Sequence, residues 1–166
     1  MGSNNNKINK KNNKKNNTPL IIGGLVLLVF AIVFLPGLLN GSKSVVELEN
    51  GNVQIDMTDL SSKGTYYSHN IDGTKTEFFA VKDIDGKIRL AFNRCQVCFS
   101  TGRGYFVQED GEFVCQNCGN RYSINMIGNE KGGCNPSPIM DNDIIISDNK
   151  IEIKKYIFEE NEYMFR

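Results

Sequence analysis

The chain is 166 residues long, enough for one domain and a membrane segment. Its 19 basic and 19 acidic residues cancel, but the first 39 residues hold five lysines and no acid, which leaves 14 basic residues against 19 acidic ones in the rest. Because an acidic domain without a basic patch repels a phosphate backbone, the composition excludes nucleic acid as a partner.

Two segments precede the globular part. Residues 1–17 are almost entirely Asn and Lys and are predicted to form a disordered cytoplasmic tail. Residues 18–39 are predicted to be a transmembrane helix, because their charge-free run from Leu20 to Leu39 would rise about 30 Å. A cleavable signal peptide is the alternative, although its apolar region is usually about 7–15 residues long. Since the lysines precede the segment, the positive-inside rule predicts a single-pass cell-membrane protein with a cytoplasmic N-terminus.

Residues 40–166 would then form an extracytoplasmic domain, and their pattern predicts a small antiparallel β fold. Short runs rich in β-branched and aromatic residues give candidate strands at 45–48, 53–57, 65–68, 76–82, 87–92, 104–108, 112–115, 143–147 and 150–158. Turn-forming pairs separate several of them, namely Asn50-Gly51, Asp72-Gly73, Asp85-Gly86, Asp110-Gly111 and Asp148-Asn149. We find no amphipathic helix pattern in this part, and we interpret residues 159–166 as a frayed end rather than as a partner-docking segment.

Four of the five cysteines form the pattern C-x2-C-x16-C-x2-C, at Cys95, Cys98, Cys115 and Cys118. This spacing is typical of a metal site, because two cysteines three residues apart on a tight turn can aim both sulfurs at one point. The predicted hairpin between the pairs would bring the second pair alongside the first. Gly119 follows the second pair, where such a turn often needs a permissive backbone. The pattern therefore predicts one four-thiolate metal site.

Two other interpretations of these pairs stay open. An extracytoplasmic domain permits disulfides, although each pair is too close in sequence to cross-link much of the chain. A redox-active CxxC would exchange thiols and disulfides, but such motifs precede a helix, and neither pair here is followed by a helical pattern.

Two further residues are candidates for the site. Cys134 lies in a Gly-Gly-Cys-Asn-Pro turn at 132–136 and is either a fifth ligand or redox partner of the metal site, or a buried free cysteine. His69, the only histidine, has no second His or carboxylate motif beside it and is predicted to be structural or on the surface. No catalytic triad, phosphate-binding glycine loop or carboxylate pair is present, so we expect no enzymatic activity beyond electron transfer.

Several segments occur together in a characteristic order: FFAVKD at 78–83, NRCQVC at 93–98, GRGY at 102–105, VCQNCG at 114–119 and GGCNP at 132–136. Over residues 66–138 the chain resembles the family of predicted membrane iron–sulfur-containing proteins, a domain of unknown function associated with bacterial ferrous-iron uptake systems. The resemblance implies a metal-ligand role for the four CxxC cysteines, with Cys134 as an associated fifth, and an iron–sulfur cluster as cofactor.

A more distant likeness is to Rieske domains, which also have two ligand-bearing loops, a hairpin between them, an aromatic residue after the second loop (here Tyr122) and a Gly/Pro-rich cover. Rieske loops use both Cys and His, whereas all four positions here are Cys. The ligands alone allow an iron–sulfur cluster, Zn²⁺, mononuclear iron or copper. A protein exported with its cluster by the twin-arginine route needs Arg-Arg before the apolar segment, and only Lys occurs here, which favours a metal acquired outside the cell.

Taken together, these features predict a membrane-anchored, metal-binding accessory protein that handles electrons or metal beside a metal-ion uptake system. Its expected partner is a membrane transporter or reductase subunit. The predicted antiparallel β domain with its two CxxC turns is Rieske-like or zinc-ribbon-like in fold. The alternative functions are an extracytoplasmic thiol–disulfide oxidoreductase and a structural zinc module that binds a membrane partner.

Overall fold

The computed structural model describes Met1 and residues 41–129 and 132–166. The predicted tail at 1–17 and the predicted membrane segment at 18–39 lie, apart from Met1, outside these residues. Within the described part of the chain, no helix is both long enough and apolar enough to cross a bilayer.

The described residues are mostly β, as the sequence predicts. The strands are β1 (Lys43–Ser44), β2 (Val46–Glu47), β3 (Val53–Asp56), β4 (Thr65–Ile71), β5 (Thr74–Lys82), β6 (Ile88–Cys95), β7 (Phe106–Glu109), β8 (Glu112–Cys115), β9 (Arg121–Ser123), β10 (Pro136–Ile139), β11 (Ile144–Ser147) and β12 (Lys150–Ile153). One short α-helix, α1 (Lys155–Asn161), follows β12. Single 3₁₀ turns occur at Phe99–Thr101, Ile124–Met126, Asp141–Asp143 and Glu162–Phe165.

The turn-forming pairs predicted from the sequence close hairpins. Asp72 and Gly73 connect β4 to β5 with φ angles of 47° and 88°. Asp110 and Gly111 connect β7 to β8 with φ angles of 51° and 84°. Two successive left-handed residues match the right-handed twist of the flanking strands, which is why Asp-Gly is favoured there.

The strands make three sheets, in the orders β1-β4-β5-β6-β10, β11-β12-β3-β2 and β7-β8-β9. Strands β5 and β6 of the five-stranded sheet contribute buried residues to both of its faces, since successive side chains of a strand point to opposite sides. In β5, Phe78 packs with the four-stranded sheet and α1, while the next residue, Phe79, packs with the three-stranded sheet. The β5–β6 hairpin therefore separates two apolar cores, and the second of them contains Cys95, Cys98 and Cys115.

The C-terminal segment differs from the prediction. The strand predicted at 150–158 ends at Ile153, and α1 follows, because Ile157 and Phe158 are buried on one side of a helix in the first core. The interpretation of 159–166 as a frayed end is also wrong. Met164 is 2% exposed, and the guanidinium of Arg94 lies 4.9 Å from the centre of the Phe165 ring.

Strand β10 was not predicted, because Pro136 and Pro138 lack the N–H that a central strand must donate. The structure accommodates both prolines at the edge of the five-stranded sheet, where β10 pairs antiparallel with β6. In this register Pro136 lies opposite Cys95. The pairing brings the segment around Cys134 to the end of the strand that carries the first CxxC pair.

Candidate metal centre

The first CxxC pair lies at the point where β6 ends. Cys95 is the last residue of the strand, and the backbone N–H of Cys98 donates a hydrogen bond to the Cys95 sulfur over 3.4 Å. A 3₁₀ turn at Phe99–Thr101 follows and ends at Gly102, whose φ of 73° is left-handed. A left-handed glycine is a common way to end such a turn.

The second pair lies at the end of β8. The backbone N–H of Gly119 donates to the Cys115 carbonyl over 2.9 Å, which closes the turn, and Gly119 has a φ of 75°. The permissive backbone that the sequence predicted at Gly119 is thus present. The N–H of Cys115 donates to the carbonyl of Asn120 over 2.9 Å, and the chain continues into β9.

Direct hydrogen bonds hold the two turns together. The N–H of Gln116 donates to the Tyr105 carbonyl over 2.8 Å, and the Arg103 guanidinium donates to the Gln116 carbonyl over 3.1 Å. The N–H of Cys95 donates to the Gly104 carbonyl over 2.7 Å. The loop at 102–105 therefore positions the second turn relative to the first.

The cysteine sulfurs converge in two overlapping groups. The sulfurs of Cys95, Cys98 and Cys115 lie within 4.8 Å of one another, and so do those of Cys98, Cys118 and Cys134. Cys98 belongs to both groups. All five cysteines are free thiols in the structure. The two groups together contain the four predicted ligands and the candidate fifth, but they differ from the single four-cysteine group predicted from the sequence, because Cys118 groups with Cys98 and Cys134 and not with Cys95 and Cys115.

Burial divides the cluster into a covered side and an open side. Cys95 is 0% exposed, Cys98 6% and Cys115 1%, because the aromatic rings of the second core cover them. Cys118 is exposed and Cys134 is half-buried. Solvent access to the cluster is therefore greatest at Cys118 and Cys134.

The protonation of these thiols follows from their surroundings. Burial raises the pKa of the Cys95 thiol to about 12, so this sulfur carries a proton at neutral pH unless a cation is near. The side chain of Asn117 hydrogen-bonds the Cys98 sulfur and lowers the pKa of that thiol. A bound metal ion would supply the positive charge that buried thiolates need, and its binding would release protons.

His69 takes no part in this cluster. It lies in β4, is 7% exposed, and its ring packs edge-on against Phe158 with 5.0 Å between the ring centres. This is the first core, on the other face of the central sheet from the cysteines. The structural role predicted for His69 agrees with this position.

Sequence reasoning missed two residues that hold the site together. The side-chain oxygen of Asn93 accepts a hydrogen bond of 2.7 Å from the backbone N–H of Phe106, which joins β6 to β7. Gly104 lies so close to the Cys98 carbonyl that no side chain fits between them. Both residues lie within the family-like segments NRCQVC and GRGY. These segments marked the region as important but did not indicate which contacts the two residues make.

Residues 57–165 match the family described as membrane iron-sulfur containing protein FtrD-like. The chain belongs to this family. The match spans about two-thirds of the chain and extends the resemblance seen at 66–138 in both directions. No curated protein and no solved structure matches the chain. The resemblance to membrane iron–sulfur proteins is confirmed, and the likeness to Rieske domains stays a prediction.

The description of the FtrD-like family implies an iron–sulfur cluster, and the donor set of this chain fits one in its chemistry. Cysteine thiolates hold such clusters, and the sulfurs of both groups in this cluster come from cysteine alone. Each group of three sulfurs also suits a tetrahedral ion that takes a fourth ligand from elsewhere, because thiolate ligands at about 2.3 Å lie roughly 3.8 Å from one another. The residues would accept either occupant.

Proposed function

We propose that this FtrD-like protein is a membrane-anchored metal-binding accessory protein that handles electrons or metal beside a metal-ion uptake system. In this proposal residues 18–39 form a single membrane anchor, residues 1–17 a cytoplasmic tail and residues 40–166 an extracytoplasmic domain. Cys95, Cys98, Cys115 and Cys118 hold the metal centre, and a transporter or reductase subunit in the same membrane is the partner.

One observation carries the proposal: the cysteine sulfurs converge at the edge of the domain, with one side covered and the other open. Aromatic rings cover the buried side, where Phe79 and Phe113 stack with 4.2 Å between their centres. On the open side Cys118 is exposed, and Val97, inside the first CxxC loop, is 58% exposed. A purely structural metal site has all its coordination positions filled by protein ligands and needs no solvent access, whereas a centre that exchanges electrons or ions must be approached by its partner.

The protein's own groups would stabilise such a centre. The N–H of Cys98 donates a hydrogen bond to the Cys95 sulfur, and the Asn117 side chain hydrogen-bonds the Cys98 sulfur. Hydrogen bonds to thiolates favour their charged form and tune the potential of any metal they hold. A bound iron–sulfur cluster would supply a one-electron carrier. The membership of the chain in a family described as membrane iron–sulfur proteins supports this choice.

The test is metal and sulfide analysis of the full-length chain, purified anaerobically in detergent, together with its absorption spectrum. Iron, sulfide and visible charge-transfer bands would support electron transfer. One colourless zinc ion per chain would refute electron transfer in favour of the structural zinc module. A metal-free protein that turns over disulfides would refute both electron transfer and the zinc module in favour of the oxidoreductase.

The variant Cys115→Ser removes a buried ligand and should lower the amount of metal that the chain retains. Ser100→Ala is the matched control, because Ser100 is exposed in the turn after the first pair and should retain the metal fully. Unchanged metal content in Cys115→Ser would refute the proposed ligand set.

A further inference from the structure

The two groups of cysteine sulfurs share a single member, Cys98. We infer that the five cysteines form two adjoining metal sites bridged by the Cys98 thiolate, with Cys134 as a ligand of the second. The inner site consists of Cys95, Cys98 and Cys115, and the outer site of Cys98, Cys118 and Cys134. This inference rests on the proposed metal-binding function and specifies how many ions the cluster holds.

The distances favour two sites over one. A single tetrahedral ion takes four thiolates, which would leave Cys134 without a function in the cluster. Yet the Cys134 sulfur lies within 4.8 Å of the sulfurs of Cys98 and Cys118, and the three sulfurs of the buried group lie within the same limit of one another. Thiolates bonded to one ion lie roughly 3.8 Å apart, so small side-chain adjustments close either group around an ion. A thiolate sulfur has enough lone pairs to bond two ions at once, and only Cys98 is placed to do so.

The fold holds Cys134 in position through its neighbours. The N–H of Gly132 donates to the side-chain oxygen of Gln96 over 2.6 Å, and the N–H of Gln96 donates to the Asn135 carbonyl over 3.4 Å. Gly132 and Gly133 have left-handed φ angles of 97° and 81°, a backbone conformation that residues with a side chain rarely adopt. Two hydrogen bonds thus tie the segment on both sides of Cys134 to the loop of the first CxxC pair.

The two sites differ in their access to solvent. All three inner ligands are buried, whereas the outer site contains the exposed Cys118 and the half-buried Cys134. An ion with three protein ligands keeps an open position for water or an incoming ligand. At the outer site this position is reachable from outside, so the outer ion should exchange readily while the inner ion is retained. Soft or borderline ions, such as Zn²⁺, Cd²⁺, Fe²⁺ and Cu⁺, are the class that these sulfurs select.

The test loads the full-length chain, stripped of metal and kept reduced in detergent, with Cd²⁺ enriched in its NMR-active isotope. Native mass spectrometry should show two ions per chain, and the cadmium spectrum should show two resonances split by coupling through the shared sulfur. In Cys134→Ser we expect one ion and one unsplit resonance, whereas the control Ser100→Ala should keep two coupled ions. A competing chelator should remove the ions in two phases from the native chain and in one slow phase from Cys134→Ser.

The outcomes separate this inference from the function on which it rests. One ion per chain that Cys134→Ser does not alter would overturn the second site while leaving a metal-binding protein. Two resonances without mutual splitting would overturn the bridging role of Cys98. No bound ion in any variant would refute the proposed function as well.

Discussion

The backbone of Gly104 lies directly against the backbone of Cys98. A Cβ atom on Gly104 would be 2.3 Å from the Cys98 carbonyl oxygen and 2.7 Å from the backbone nitrogen of Phe99. Both neighbours are backbone atoms of the turn that carries the first CxxC pair, so neither can rotate away. The close approach also allows the Gly104 carbonyl to accept the hydrogen bond from Cys95.

We therefore predict that Gly104→Ala displaces Cys98 and abolishes metal retention, with a loss of about 1–3 kcal/mol in the free energy of unfolding from the forced shift. Native mass spectrometry and urea denaturation measure the two effects. Gly102→Ala is the matched control in the same loop. Nothing lies within 4 Å of its added Cβ, so it should lose about 1–2 kcal/mol from its left-handed φ and keep its metal. Equal metal content in both variants would contradict the role assigned to Gly104.

Asn93 joins the two halves of the site by accepting a hydrogen bond from the buried N–H of Phe106. Replacing it with Ala leaves that N–H unpaired, which should lower the free energy of unfolding of the metal-free protein by about 1–3 kcal/mol. The variant should also lose metal faster to a chelator, because β6 and β7 are no longer tied beside the cysteines. Asn142→Ala, at an exposed position, should change stability by no more than about 0.5 kcal/mol and serves as the control.

Phe158 anchors the C-terminal helix in the first core. Its ring is 0% exposed and meets those of Phe78 and Phe92 edge-on, with 5.6 and 5.5 Å between ring centres. Phe158→Ala should cost about 3–5 kcal/mol in denaturant unfolding, because it leaves a cavity that the neighbouring sheets cannot close. Glu160→Ala on the exposed side of the same helix should be nearly neutral. A small effect of Phe158→Ala would show that the helix is not part of the core.

The buried His69 makes stability depend on pH. Burial lowers its pKa below the usual value of about 6.5, and the nearby Glu47 offsets this only in part. As the pH falls below about 6.5, the unfolded chain binds a proton before the folded chain does, so the free energy of unfolding decreases until the folded-state pKa is reached. Urea denaturation at about pH 7.5 and about pH 5.5 should show this loss in the native chain.

The variant His69→Gln removes the imidazole and isolates its contribution from that of the carboxylates. It should be less stable at both pH values but should lose less between them. An identical loss in the native chain and in His69→Gln would assign the pH dependence to other groups.

The sequence by itself determined the β class, the hairpins and the candidate ligands. These are local properties: Asp72-Gly73 and Asp110-Gly111 each supply the two left-handed residues of a tight hairpin turn, and the turn of the first Cys-x2-Cys pair brings its two sulfurs within 4.8 Å of each other. The resemblance to the family likewise depended only on the order of the segments at 78–136 along the chain. Within the part of the chain that the structure describes, the β class and these hairpins agree with what is observed, and the ligand role of the cysteines stays a prediction.

Tertiary structure decided the rest, because it depends on contacts between residues that are distant in sequence. Pro136 and Pro138 can form part of a strand because β10 lies at a sheet edge. Residues 155–161 form a helix because Phe158 packs in a core to which other strands contribute. The grouping of the sulfurs is of the same kind. No spacing indicates that Cys98 lies within reach of both the buried and the exposed cysteines, since that position results from packing β6, β8 and the Cys134 segment together.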